Sequence, residues 1–167
     1  PSASSPEALR RMQTLRRRDT APEVALRSLL HRLGLRFRVD AMPETALRGR
    51  ADIVFRRARV AVYVDGCFWH GCPQHATWPK ANAVWWKEKI GANQVRDAKS
   101  DVALTRLGWK VVRVWEHESS ERAARSIARL VRKRSVSFSS ALIGTPAHVQ
   151  GCRGSSCIMM QIQKRPQ

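Results

Sequence analysis

Ala51-Asp52-Ile53-Val54-Phe55-Arg56-Arg57-Ala58-Arg59-Val60-Ala61-Val62-Tyr63-Val64-Asp65 is the stretch on which the fold turns. Two runs of β-branched and aromatic residues flank a short basic link, Arg56–Arg59. Such residues suit the pleated, half-buried surface of a strand, and the short link predicts a hairpin. Val60–Asp65 is nearly continuous in valine and reads as a central, buried strand. The hairpin centre falls near Ala58–Arg59, which places Asp52 and Asp65 opposite each other. A bulge would send one of them to the other face.

The flanks supply helices. Residues 6–18 read as a basic helix or arm. Thr20-Ala21-Pro22-Glu23 looks like a capping box with proline in the first turn, where its missing N–H does no harm. Val24, Leu26, Leu29, Leu30 and Leu33 form an apolar stripe, and Gly34 stops the helix. Leu35–Val39 alternates as a strand. Residues 40–50 are a loop with Pro43 and Gly49. After the hairpin, 66–81 is a loop, 83–107 is helical with a break near Gly91, and Trp109–Trp115 is a fourth strand. Ser119 or Ser120 caps a helix to about Arg134, with Ala124, Ile127, Leu130 and Val131 inward. The order is α-β-β-β-α-β-α, an α/β fold with a mixed central sheet flanked by helices. Residues 1–134 form one domain. Residues 135–167, rich in Ser and Gly, read as a loosely ordered tail.

The chain has 167 residues, with 31 Lys and Arg against 13 Asp and Glu, for a net charge of +18. That excess predicts a polyanionic partner. Six tryptophans add rings able to stack on bases. No apolar run is long enough for a membrane span, and residues 1–18 lack the apolar centre of a signal peptide. A cytoplasmic protein used at the nucleoid is expected. The four cysteines pair as Cys67 with Cys72 and Cys152 with Cys157. Without a secretion signal, metal binding or free thiols outrank disulfides.

Two carboxylates at one end of a valine-rich sheet are costly to bury, and a hard cation such as Mg²⁺ relieves that cost. In a basic protein, a metal between carboxylates suggests phosphodiester hydrolysis. The competing view is two exposed aspartates that begin and end strands. His70 follows Asp65 by five residues and has the ordinary pKa of a general base. Cys67, Cys72 and His75 offer three zinc ligands within nine residues, with His117 as a fourth; Cys152 or Cys157 could replace either histidine.

The specific pattern is Asp19-Thr20-Ala21-Pro22-Glu23, Ala51-Asp52-Ile53-Val54 and Val64-Asp65-Gly66-Cys67-Phe68-Trp69-His70-Gly71-Cys72-Pro73. Pro79-Lys80, Trp86, Lys89-Ile90, Asn93, Arg96-Asp97, Leu107-Gly108-Trp109 and Trp115-Glu116 follow in order. Over residues 8–134 the chain resembles the very short patch mismatch repair endonucleases. The resemblance implies a restriction-endonuclease-like core with a structural zinc. It also implies nicking of one strand of double-stranded DNA beside a T:G mismatch, the product of 5-methylcytosine deamination.

By the same resemblance Asp52 is the principal Mg²⁺ ligand, joined by the Val64 backbone carbonyl, and His70 is the general base. Glu23 and Asp97 orient water or base. Phe68, Trp69 and Trp86 form a wedge that enters the base stack, with Met12 from the arm, while Asn93 and Lys89 also meet DNA. The zinc set is Cys67, Cys72, His75 and His117, the last standing where family members often carry Cys. Asp65 stands where some members have His and is open as a second metal ligand. The superfamily's usual lysine is missing, which favours His70 as its replacement.

Plainer roles compete. Glu23 could simply complete the cap, Asp97 pair with Arg96 or Lys99, and Trp86 belong to the core. Monomeric action is expected, since one asymmetric mismatch needs no two-fold symmetry; partners after the nick are not legible. The alternatives are a homing or restriction-type endonuclease on matched DNA, and a non-catalytic zinc-containing DNA-binding module.

Overall fold

The structure is a computed structural model that describes Glu7, Arg10 and residues 18–143, with 137–143 given by backbone alone. Met12, the Cys152/Cys157 pair and residues 144–167 lie outside the described residues. The elements are α1 (Ala21–Arg32), β1 (Arg38–Ala41), β2 (Ala51–Phe55), β3 (Val60–Asp65), α2 (Ala83–Arg106), β4 (Lys110–Trp115) and α3 (Ser120–Ile143). This is the expected α-β-β-β-α-β-α order. The sheet runs β1-β2-β3-β4; the first two pairings are antiparallel and β3 with β4 is parallel. Parallel neighbours need a long crossover, which the 66–82 loop and α2 provide.

The hairpin forms with its register moved. Ile53 pairs with Val62 and Phe55 with Val60, so continuing the ladder puts Asp52 across from Tyr63 rather than Asp65. The turn explains the shift: the Arg59 N–H donates to the Arg56 carbonyl at 3.1 Å, with Arg59 at a left-handed φ of 50°. A two-residue shift preserves the face, so both aspartates still point the same way.

The two faces of the sheet carry different helices. Ile53, Phe55, Val60, Val62 and Val114 pack against Leu26 and Leu30 of α1 and Ala124, Ile127 and Val131 of α3. Val54 and Ala61 pack on the other side with Leu104 of α2 and with Trp109. Gly34, at φ 79°, ends α1: its N–H donates to the His31 carbonyl at 2.9 Å and that of Leu35 to Leu30 at 3.1 Å. That double closure is a Schellman motif. It also consumes the Leu35 amide, so β1 starts at Arg38 and not at Leu35. Val24 leaves the expected stripe and is 46% exposed.

Two further expectations change. The helix over Gly91 is unbroken, with Ile90 and Asn93 buried on either side. One glycine costs about 1 kcal/mol against alanine, too little to break a long helix pinned by packing. The last helix is capped by Ser119, whose Oγ accepts the Arg122 N–H at 3.3 Å. It continues past Arg134 to Ile143, so the first nine residues of the expected tail are helical. Residues 135–143 contain no Gly or Pro, and Arg134 ties the helix to the Ala58 and Gly108 carbonyls at 2.8 Å each.

Leu30 is fully buried between α1, the sheet and α3. Leu30→Ala should therefore cost about 2–5 kcal/mol through the lost contact and the cavity. Val24→Ala, on the exposed side, should stay within about 0.5 kcal/mol. Urea denaturation of both variants measures the difference.

Candidate active site

Alternation along the strands sets one polar row on the face toward α2. Tyr63 pairs with Arg113 in the parallel ladder, and Asp52 and Asp65 share their face. From across this face, α2 lowers Asp97 and Asp101, four residues apart and hence on one side of the helix. The first turn of α1 brings Glu23. Between them lies an open cleft of about 710 Å³, lined among others by Glu23, Asp52, Asp65, His70, Asp97 and Arg113.

Asp52 is the strained acid of the cleft. Its Oδ2 accepts the Val64 N–H at 2.7 Å. Burial nevertheless pushes its pKa up to about 6; the Val64 bond opposes the rise, and the charges of Glu23 and Asp65 add to it. Glu23 is buried and plays two parts. Its carboxylate accepts the Asp19 N–H at 3.1 Å and the Thr20 hydroxyl at 2.8 Å, which closes the start of α1, and it also lines the cleft. Thr20 itself makes no side-chain cap bond to the backbone, so the box closes through Glu23 alone.

His70 stands between two acids. Its Nδ1 is 2.6 Å from Asp97 Oδ2 and 3.7 Å from Asp65 Oδ1. Asp97 therefore bonds the histidine, while Arg96 donates to Asn93 Oδ1 at 3.0 Å. Both oxygens of Asp65 accept from Arg113 Nη1, at 2.9 Å each, so the guanidinium balances the charge of this acid. Arg113 and its second partner, Asp101, escaped the sequence reading. Burial opposes the charge of Arg113, but bonds to Asp101 and Asp65 outweigh it and hold its pKa above the ordinary value. The available signal was a single charge inside Val111-Val112-Arg113-Val114, together with the Asp97/Asp101 spacing.

The loop after β3 is strapped to α2. Asn93 Nδ2 donates to the Trp69 carbonyl at 2.9 Å and Gln94 Nε2 to that of His70 at 3.1 Å. Asn93, an expected DNA contact, is buried and clamps this loop to α2. Lys89 is exposed. Gly71 holds a left-handed φ of 63°, and a Cβ there would stand 2.6 Å from Gln94 Nε2 and push that amide off its bond. Phe68, Trp69 and Trp86 meet edge to face, with ring centres 5.1–5.8 Å apart, and Trp85 stacks its edge on Trp86 at 4.7 Å. Trp86 is half-buried within this cluster, and Trp69 is exposed.

A second constellation sits beside the cleft. One donor atom from each of Cys67, Cys72, His75 and His117 lies within 4.8 Å of all the others. Cys67 Sγ is 3.1 Å from His117 Nδ1, and Cys72 Sγ is 3.9 Å from His75 Nδ1 and 3.8 Å from His117 Nδ1. Sulfur and nitrogen ligands around one tetrahedral zinc stand roughly 3.3–3.8 Å apart, so the donor set fits that ion. Burial, with Cys72 adjacent, pushes the Cys67 thiol up to about 11. A soft cation is the natural partner for such a buried thiol pair. Glu116 fixes the corner by accepting the Cys67 N–H at 2.6 Å.

The chain is similar in sequence to known DNA endonucleases. A family model described as DNA mismatch endonuclease Vsr matches residues 6–75. The Type II nicking enzyme V.NaeI of Lentzea aerocolonigenes is 44% identical over 71% of this chain and 72% of its own length. The Type II nicking enzyme V.XorIIP of Xanthomonas oryzae pv. oryzae is also 44% identical, over 72% of this chain and 88% of its own. The DNA mismatch endonuclease Vsr of Escherichia coli is 40% identical over 63% of this chain and 66% of its own.

The raised pKa of Asp52 has a stability consequence. Its stabilising share is present below the ordinary carboxylate pKa and is lost as pH rises through about 6. Asp52→Asn keeps an acceptor for the Val64 N–H and removes the charge. In metal-free protein it should raise Tm at pH 7.5 and leave Tm unchanged near pH 4. Thermal unfolding at the two pH values measures this; a lower Tm at pH 7.5 would show that burial is not the dominant cost.

Proposed function

Since the chain belongs to the very short patch repair family of DNA endonucleases, we propose that it nicks one strand of duplex DNA beside a T:G mismatch. The names of its relatives support strand nicking and mismatch action. The mixed sheet between helices is consistent with a restriction-endonuclease-like core. The observation that carries the chemistry is the 2.6 Å His70–Asp97 bond set in the same cleft as Asp52.

Asp52 and the Val64 carbonyl would hold Mg²⁺. Bound there, the ion supplies Lewis-acid polarisation of the phosphate and stabilises the leaving oxygen. His70 gives its Nδ1–H to Asp97, which leaves Nε2 unprotonated and able to take the proton of an attacking water. Asp97 holds the ring and stabilises the imidazolium that forms, as the carboxylate does in other His–Asp pairs. Glu23, beside Asp52, helps to order the water.

Phe68, Trp69 and Trp86 act as the wedge. Their mutual edge-to-face packing joins the loop that bears His70 to the first turn of α2 in one block. A block of this kind unstacks DNA most cheaply where pairing is already weak, as at a mismatch. Lys89 is a phosphate contact. Cys67, Cys72, His75 and His117 would hold a structural zinc, which would tie the loop to the end of β4 and keep the wedge and the base in place. We read the protein as a monomer on DNA. Among the described residues, no helix is long and apolar enough to cross a membrane.

The reading predicts a single nick beside the mismatched T in a labelled T:G duplex with Mg²⁺, and none in its C:G counterpart. Asp52→Ala and His70→Ala should each lower the rate by about 100-fold or more and keep DNA binding in a gel-shift assay. Cutting of matched DNA would indicate a restriction or homing role, and binding without cutting a non-catalytic module. A separate prediction concerns zinc: the protein should carry one equivalent by elemental analysis, and Cys67→Ser should lower Tm and release the metal. Zinc-free protein of unchanged Tm would sink the structural assignment.

A further inference from the structure

Arg113 reaches three carboxylates from the middle of β4. Its Nη1 donates to both oxygens of Asp65 at 2.9 Å, and its Nε and Nη2 donate to the two oxygens of Asp101 at 2.9 and 3.0 Å. Its Nη2 also stands 3.7 Å from Asp97 Oδ1. The guanidinium lies over the Tyr63 ring, 4.8 Å from its centre, which fixes the plane of the fork. The acids come from separate elements, Asp65 from the end of β3 and Asp97 and Asp101 from α2. Two of the three, Asp65 and Asp97, flank His70.

That arrangement selects the partner of His70. Asp65 Oδ1 and Asp97 Oδ2 are both near Nδ1, at 3.7 and 2.6 Å, and only one can accept its hydrogen in good geometry. By taking both oxygens of Asp65, Arg113 leaves Asp97 as the acceptor. The Asp65 side chain is only 5% exposed, so water offers little substitute for the guanidinium. Without Arg113, Asp65 would be a buried charge in search of a cation, with His70 as the neighbour within reach. The ring would tilt toward Asp65 and carry Nε2 off its line. A lysine cannot reproduce this clamp, because a single ammonium lacks the planar fork.

We propose that Arg113 is a positioning residue for the nicking reaction, which holds His70 in line by occupying Asp65 and steadying Asp97 rather than by contacting DNA. The inference rests on the reading of His70 as the base.

A double-mutant cycle on a duplex that the wild type nicks tests it, with kcat and KM measured for wild type, Arg113→Met, His70→Ala and the double variant. Arg113→Met should lower kcat by about 10- to 100-fold and leave KM within about threefold, the pattern of a misplaced group. The double variant should be no slower than His70→Ala alone, because nothing remains to be positioned. Arg113→Lys should regain only a minor part of the lost rate. Should the Met variant fail to fold by circular dichroism, the Lys variant carries the same cycle.

A rise in KM with kcat preserved would make Arg113 a phosphate contact and overturn the proposal. Losses that multiply in the double variant, or wild-type kcat in Arg113→Met, would overturn it too. If His70→Ala alone keeps the wild-type rate, the reading of His70 as base falls first. A slow His70→Ala with multiplying losses rejects only the role of Arg113.

Discussion

The parallel pairing of β3 with β4 aligns Tyr63 with Arg113 and Asp65 with Trp115, and both halves of the site hang from that register. Arg113 sits two residues from Asp65 along the ladder and on the same face, which is why its side chain can take both carboxylate oxygens. Past the end of the pairing, Glu116 and His117 arrive beside Cys67, because the Glu116 N–H donates to the Asp65 carbonyl at 3.0 Å and prolongs the ladder by one residue. A shift of the pair by one residue would turn Arg113 to the opposite face, among the aliphatic residues under α1 and α3. The acids and the Cys/His corner would then lose their partners together.

Charge burial is the second constraint. The cleft gathers Glu23, Asp52, Asp65 and Asp97, with Asp101 on the far side of Arg113, in a protein of net charge +18. Most of these acids have an explicit partner: Arg27, the Asp19 N–H and the Thr20 hydroxyl for Glu23, Arg113 for Asp65 and Asp101, His70 for Asp97. Among the described residues Asp52 accepts a backbone N–H and forms no ion pair, and burial raises its pKa against the weaker pull of the Arg27 charge. The asymmetry is functional in form: acids that position others are neutralised within the chain, and the acid that would meet a metal is left needing one. The Cys67 thiol is a parallel case on a soft donor.

Local signals were legible where the cause is local. Gly34 ends α1 because only a residue free to adopt positive φ closes that turn at no cost. The valine-rich hairpin declares itself by composition, and the face shared by Asp52 and Asp65 survives the two-residue error in register because side chains alternate with period two. The misjudged features depend on distant partners. Gly91 sits inside an unbroken helix because Ile90 and Asn93 beside it are held by packing, Asn93 also through its amide on the Trp69 carbonyl. The helix past Arg134 runs on where Ser-rich composition suggested a tail, and Arg134 is bonded to carbonyls 76 and 26 residues away in sequence.

By itself the sequence determined the element order, the face of the central strands, the four Cys and His side chains whose donors converge, and the run Gly66-Cys67-Phe68-Trp69-His70 that borders the cleft. These follow from periodicity, turn chemistry and residue type, which act over a few residues. Only the tertiary structure decided which acid holds which cation. Asp97 meets His70 across 27 residues, and Asp65 meets Arg113 across 48. Such pairings depend on how a loop, a helix and two strands converge, and electrostatic preference alone cannot choose among several acids for one arginine. Packing makes that choice by fixing the backbone first, after which the nearest buried charges pair because leaving either alone costs more.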